Sequence, residues 1–459
     1  MNERLRKGIF AIFMANILNL IFNLLTNFLL PKYLSVDSYA AIKTFQLYTM
    51  YIGIFALGYS DGMYLRYGGK ELKEIDTKEL KSGMYSFRIM MIIQSVILIP
   101  IAIFYKNKVV IAFVLTIFTM NMISYFKNLY QAVGEFKTYG KILNWITIAT
   151  FAVNMILLFV VKTDDYFIYL ILYAIVDAMI WLALELNIRQ VLVSNIRVAF
   201  SRMLLIEDIK SGFLLMIGNF SNIILSSMDR WFVKIMMQTT QFAYYSFAVS
   251  MEGFLNIAIT PITTTLYNFF CNHLEDGDVV RTRRYVLIFG TVIVSLAFPA
   301  EFFIEFFLKS YIGSIKVLFI LFATEMIYII IKGIYVNLYK ATRRQKLYFI
   351  RLICVLAIGA FINYVFVKIY PYKEAFAYGT LVSAFIWLIF SIIDFRKYVF
   401  EIREWLYLIG EVMIFLLIGE SLGPIVGFSL YIVISIVMAL VLMRKECKSL
   451  INVILRVMK

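Results

Sequence analysis

The sequence predicts an all-α integral membrane fold of about fourteen transmembrane helices. They form two six-helix bundles related by a parallel repeat, with two further helices at the C-terminal end. Three observations predict it: a composition that no soluble core could absorb, a run of apolar segments separated by short basic loops, and a weak internal repeat. Hydrophobic residues make up 62% of the 459-residue chain and charged residues 16%. Soluble domains carry roughly 45–50% apolar and about 25% charged residues. Lipid must therefore solvate most of this surface.

A helical span needs about 20 mostly apolar residues. Runs of that kind fall at 8–30, 40–64, 83–105, 109–130, 141–161, 166–188, 211–234, 242–270, 285–308, 315–339, 347–368, 374–394, 404–421 and 424–443. The first run is too long for a signal-peptide core and lacks a small-residue cleavage site, so it reads as a retained span. Gly423–Pro424 reads either as a turn between the last two spans or as the break of a re-entrant pair.

The chain carries 44 Lys+Arg against 29 Asp+Glu, a net charge of +15. With fourteen spans, about 29 of the basic residues fall on the side of the N-terminus, 9 on the other side and 6 inside spans. A bias this large marks the first side, and both termini, as cytoplasmic. The basic balance thus reports membrane orientation and gives no reason to expect nucleic acid. No loop is long enough for a catalytic domain. The expected organisation is an N-terminal bundle over 1–200, a second bundle over 201–400, and two additional helices with a basic cytoplasmic tail over 401–459.

Transporters are often built from related halves. Ala15–Asn27 (ANILNLIFNLLTN) parallels Gly218–Arg230 (GNFSNIILSSMDR) at an offset of 203. The same offset pairs Tyr39-Ala40 with Phe242-Ala243, and Tyr64 with Tyr267. A second match pairs Asn128-Leu129-Tyr130-Gln131-Ala132 with Asn337-Leu338-Tyr339-Lys340-Ala341 at an offset of 209, followed by Lys137/Lys346 and Tyr139/Tyr348.

The repeat carries a polar face. Asn16, Asn19, Asn23 and Asn27 are spaced 3, 4, 4 and share one side of the first span. Asn219, Asn222, Ser226 and Arg230 repeat the spacing. Amides facing lipid would be costly. They either bond neighbouring helices, at about 0.6–2 kcal/mol each, or line a hydrated cavity. Charges inside spans are functional candidates. Among the cations, Lys127 and Arg351 sit near span ends and read as snorkelling; Lys43 reads as snorkelling outward or lining the cavity. Arg88, Arg230 and Lys332 lie deeper, and Arg66 closes the second span. The acids nearest mid-membrane are Asp177, Glu252 and Glu325, each either a coupling-ion carrier or a neutraliser of a nearby cation. Glu325 and Lys332 share a face seven residues apart, which reads as too far for contact.

No nucleophile, phosphate-loop or dinucleotide motif occurs. Cys271, Cys354 and Cys447 form no metal or disulfide pattern, and His273 stands without further ligands. No cofactor or metal is expected, and the chain does not read as an enzyme.

The Asn-rich first span, the Pro31–Tyr39-Ala40 entry to the second, the Gly58–Gly69 segment (GYSDGMYLRYGG) and their echo at Asn219–Tyr267 resemble the multidrug/oligosaccharidyl-lipid/polysaccharide exporter superfamily. More narrowly, they resemble its Wzx-type polysaccharide flippases. The resemblance implies a V-shaped pair of bundles around a central cavity and alternating access between them. It implies transfer of a lipid-linked oligosaccharide from the cytoplasmic to the outer leaflet of a bacterial cell membrane. It also implies a cationic cavity for the pyrophosphate, here Lys43, Arg66, Arg88, Arg230 and Lys332, with amides for the sugars. Two helices beyond twelve recur in the lipid-flipping branches. Partners would be the lipid-linked oligosaccharide, membrane lipids and polysaccharide polymerase machinery. The alternatives are a cation-coupled exporter of drugs or metabolites, and a peptidoglycan-precursor flippase.

Overall fold

The computed structural model describes residues 19–191, 199–272 and 275–449. Asn16, His273 and the C-terminal end of the basic tail lie outside them. Every described element is helical. Ten helices are long and apolar enough to cross a membrane, or eleven when one bent pair counts as a span. Helices also occupy the described parts of all fourteen expected segments. The chain divides into two compact units, Met1–Ser227 and Met228–Lys459, and the division falls inside a helix rather than in the loop before it.

The first unit contains α1 (residues 19–33), α2 (Val36–Thr49), a 3₁₀ turn (Ile52–Ala56), α3 (Tyr59–Tyr67), α4 (Thr77–Phe104), α5 (Lys108–Ala132), α6 (Phe136–Met155), α7 (Tyr166–Val191) and most of α8 (Arg202–Met236). Capping side chains set several starts. Ser35 accepts a hydrogen bond from the Ser38 amide at 3.2 Å, Asp76 from Lys78 at 2.9 Å, and Asn107 from Val109 at 2.9 Å. On α4, Ile92, Ile93, Val96 and Ile97 are all exposed, which fits a face turned to lipid.

The second span is not the straight helix expected over 40–64. It breaks after Tyr51, and the stretches Val36–Ala56 and Tyr59–Tyr67 meet at 62°. Leu57 (φ 50°) and Gly58 (φ 84°) both take the left-handed region, where glycine carries no Cβ penalty. Past the break, α3 packs on α8 backbone to backbone. A Cβ on Gly62 would lie 1.9 Å from the Asp208 carbonyl oxygen, and one on Gly212 would lie 2.1 Å from the Gly58 oxygen. Small residues allow this approach.

The second unit continues with α9 (Thr239–Gly253), α10 (Leu255–Asn272), α11 (Asp276–Val294), α12 (Ala297–Phe307), α13 (Ile315–Ile330), α14 (Val336–Ala341), α15 (Gln345–Ile369), α16 (Lys373–Asp394), α17 (Ile402–Ser421) and α18 (Pro424–Leu442). The segment read as one span over 242–270 is interrupted at Phe254, which caps α9. Phe254 is the position that the 203-residue offset pairs with Tyr51, so both halves interrupt the α-helix there, while the 62° bend of the first half falls further on, at Leu57–Gly58. A π-helical stretch, Ile331–Tyr335, joins α13 to α14. The whole stretch Lys309–Ala341 is the centre of its unit, with 89% of its most apolar window buried against 17% for α4. Gly423 precedes Pro424 at the first position of α18, where proline is pre-organised for a helix start.

Residues read as loop charges close this unit. Arg283 is fully buried on α11 and donates to the Glu404 carboxylate of α17 at 2.7 and 3.1 Å, and to the Val399 carbonyl at 3.1 Å. Its guanidinium also lies 4.3 Å from the Phe400 ring centre. Arg284 beside it pairs with Glu446 at 3.0 Å and with Glu401. Burial pushes the Glu401 carboxyl up, but the Arg403 hydrogen bond and the Arg284 charge outweigh it and hold it below the usual carboxylate range.

Candidate translocation site

In the first unit the break in the second span opens a polar pocket of about 240 Å³. Ser60 and Asp61 reach it from α3, Ser124 and Asn128 from α5, and Asn219 and Phe220 from α8. The Asn219 amide donates to Asp61 Oδ1 at 3.3 Å. Asn121, also in the lining, donates to the Ile52 carbonyl at 3.1 Å and so holds the 3₁₀ turn against α5. The Ser60 hydroxyl is buried and has no hydrogen-bond partner among the described residues. Tyr51 and Phe220 supply apolar walls, their rings edge to face at 5.5 Å.

The amide stripe on α1 serves two purposes. Asn19 accepts from Thr147 Oγ1 on α6, and Asn27 accepts from Lys43 Nζ on α2 at 2.8 Å. Both are bonds between helices, the first of the two readings. Asn23 is exposed, as is Asn222 on α8. Lys43 does not snorkel outward: it is 8% exposed, with its ammonium 5.3 Å from the Tyr39 ring centre.

The other expected cations of this unit are neutralised by carboxylates. Arg66 meets Asp208 at 2.7 Å, with Glu79 and Glu207 each at 3.3 Å. Arg88 meets Glu185 at 2.6 Å, while its Nε stays buried without a partner. Lys127 stands apart. It is half-buried on α5, next to Asn128, and no hydrogen bond or ion pair reaches it among the described residues. The sequence reading sent it to the surface because it lies near a span end. Asp177 on α7 is likewise half-buried and without a partner among the described residues.

In the second unit Lys332 Nζ meets Glu325 at 3.1 Å, which corrects the expectation that the two are too far apart. Helical side chains lean toward the N-terminus, so a long lysine can reach back over two turns. Its ammonium also sits 4.9 Å from the Tyr328 ring centre. Glu252 on α9 faces Glu325, Lys332 and Asp229. Asp229 accepts from the Tyr245 hydroxyl at 2.7 Å and from the Arg230 backbone amide at 2.7 Å; Arg230 itself is half-buried. Three of the expected site residues, Glu252, Glu325 and Lys332, thus form one cluster.

A long multi-span helical chain that carries charge inside its bundles is the architecture of a polytopic membrane protein. Among solved structures it is similar to the lipid II flippase MurJ in an inward closed conformation, with 16% identity, a TM-score of 0.67, and 96% of this chain and 99% of the other covered. It also matches the Vibrio cholerae MATE transporter VcmN, with 13% identity, a TM-score of 0.46 and 86% and 96% covered. The likeness to the MurJ structure establishes the fold, over nearly the whole of both chains. No protein-family profile and no curated protein matches the sequence.

Proposed function

We propose that the chain is a Wzx-type flippase. It moves an isoprenoid-pyrophosphate-linked oligosaccharide from the cytoplasmic to the outer leaflet of a bacterial cell membrane, for cell-surface polysaccharide synthesis. The observation that carries the proposal is the likeness to a lipid II flippase over nearly all of both chains, the last two helices included. Pyrophosphate and sugars cannot cross hydrocarbon unaided. Amides such as Asn23, Asn219 and Asn222 can bond hydroxyls, and cations can hold the phosphates. Lys127 joins Arg230 as a phosphate ligand, since no carboxylate among the described residues neutralises it. Arg88, Arg66, Lys43 and Lys332 act when the bundle rearranges and frees them. Both termini are cytoplasmic by the basic-loop bias. Polymerase machinery would take the product on the outer face.

A second reading has its own support. Glu252 facing Glu325 and Lys332 is a buried charge cluster of the kind that carries a coupling ion. It suits a cation-coupled exporter, and equally a flippase driven by an ion. Asp177 is the corresponding candidate in the first unit. A peptidoglycan-precursor substrate is the remaining variant.

The test is complementation of a strain lacking its own polysaccharide flippase. Wild type should restore surface polysaccharide. Arg88→Ala, Arg230→Ala and Lys127→Ala should each lose most of it at matched expression. Full rescue by all three variants would remove the cationic site. Rescue instead of a strain lacking its lipid II flippase would move the substrate to peptidoglycan precursors.

A further inference from the structure

We infer that the pocket at the break of the second span binds one neutral or amine-bearing sugar ring of the translocated glycan and rejects a uronic acid. This rests on the flippase reading and specifies its substrate.

Size is the first argument. Water occupies about 30 Å³ per molecule in the liquid, so about 240 Å³ holds some eight waters. That is below the ~300–1,000 Å³ of drug-sized sites and suits a single ring. A bare metal cation would need oxygens within about 2.0–2.6 Å on all sides, which a cavity this wide does not offer. Chemistry is the second. The Asp61 carboxylate can accept from two adjacent hydroxyls or from an ammonium. Asn128 and Asn219 offer both donors and acceptors, and the unpartnered Ser60 hydroxyl is buried in the lining. Tyr51 and Phe220 present apolar surface for the C–H face of a ring. Charge is the third. Among the described residues no Lys or Arg lines the pocket, so Asp61 meets an anionic sugar there without a counter-charge.

The helix architecture supports a built site. Gly62 and Gly212 bring α3 onto α8 at backbone distance, which places Asp61 beside Asn219. At the positions that the repeat offsets pair with Ser60 and Asn128, the second half has Thr263 and Asn337. There Asn337 donates to the Thr263 carbonyl at 2.6 Å, and the two are joined directly. In the first half the paired residues, Ser60 and Asn128, both line the pocket instead.

The experiment is saturation-transfer NMR on the full chain in lipid nanodiscs, with glucose, glucosamine and glucuronate as probes. Glucose and glucosamine should show transfer, with glucuronate at least ~tenfold weaker, as expected when a buried charge is left unpaired. Asp61→Asn should bring glucuronate up to the level of glucose. Ser124→Phe, which fills the pocket, should abolish all three signals. Glucuronate binding as well as glucose in the wild type, discrimination that survives Asp61→Asn, signals that survive Ser124→Phe, or no hexose signal at all would overturn the inference. Complementation judges the flippase reading separately: rescue without a sugar signal sinks only the pocket, and a sugar signal without rescue sinks only the flippase.

Discussion

The two units break the same span at paired positions and use the result differently. In the first, the break at Tyr51–Gly58 leaves a neutral-lined pocket with one carboxylate, and Ser60 and Asn128 stand on its walls. In the second, Asn337 closes on Thr263, and the stretch that holds it is almost wholly buried. The second unit puts its charges inside instead: Glu252, Glu325 and Lys332 in one cluster, Arg283, Arg284 and Glu404 in another. A shared sequence pattern fixes where a helix breaks. The residues facing the break decide whether it becomes a hydrogen-bonded staple or an open site.

The largest expected effect tests the charged packing of the second unit. Arg283→Ala removes the closest cation of the fully buried Glu404 and leaves it only the longer contact to Arg284 at 3.4 Å, and breaking a buried pair in this way costs about 3–5 kcal/mol. Folded yield on size exclusion in detergent should collapse. The double change Arg283→Met with Glu404→Met should recover most of it, because well-packed apolar replacements are often near neutral. Arg66→Ala in the first unit also leaves a buried carboxylate, Asp208, but should be milder, since Arg66 is itself 17% exposed and its other partners Glu79 and Glu207 are 37% and 63% exposed, against 0% for both Arg283 and Glu404. Equal losses for Arg66→Ala and Arg283→Ala would erase this difference between the units.

A smaller effect tests how each break is packed. Gly62→Ala pushes a methyl into the Asp208 backbone and should lower the thermal midpoint, at a cost of about 1–3 kcal/mol. Gly333→Ala should be tolerated, because the nearest atom to its Cβ would be the Leu266 side chain at 3.6 Å. The smallest effect concerns the paired asparagines. Asn337→Ala leaves the Thr263 carbonyl without that partner and should cost about 1–2 kcal/mol in thermal unfolding. Asn128→Ala should barely change stability. The reverse order would mean that the pocket is a structural staple.

Much of the fold was legible, because a bilayer demands long apolar helices and short basic loops whatever the tertiary detail. The repeat was legible too, but neither it nor hydropathy marked the breaks: neither Tyr51 nor Phe254 interrupts an apolar run, although Gly53, Gly58 and Pro261 stand nearby. Arg283 and Arg284 fall in the loop before the span expected at 285–308, and their partner, Glu404, lies about 120 residues away, a separation over which no local pattern records a contact. Distance from span ends left Lys43 between two readings and gave Lys127 one, because that rule ignores what neighbouring helices cover. Asp61 sat within the quoted Gly58–Gly69 motif but was not singled out, since its partner Asn219 comes from a helix that only the glycine contact brings near.

The most direct test of the central claim is flipping itself. The purified chain is reconstituted into vesicles with an isoprenoid-pyrophosphate-linked oligosaccharide placed in one leaflet, and the fraction reached by a membrane-impermeant lectin on the other side is followed in time. The account predicts transfer well above protein-free vesicles, strongly slowed by Lys127→Ala and Arg88→Ala. Transfer no faster than in protein-free vesicles would contradict it.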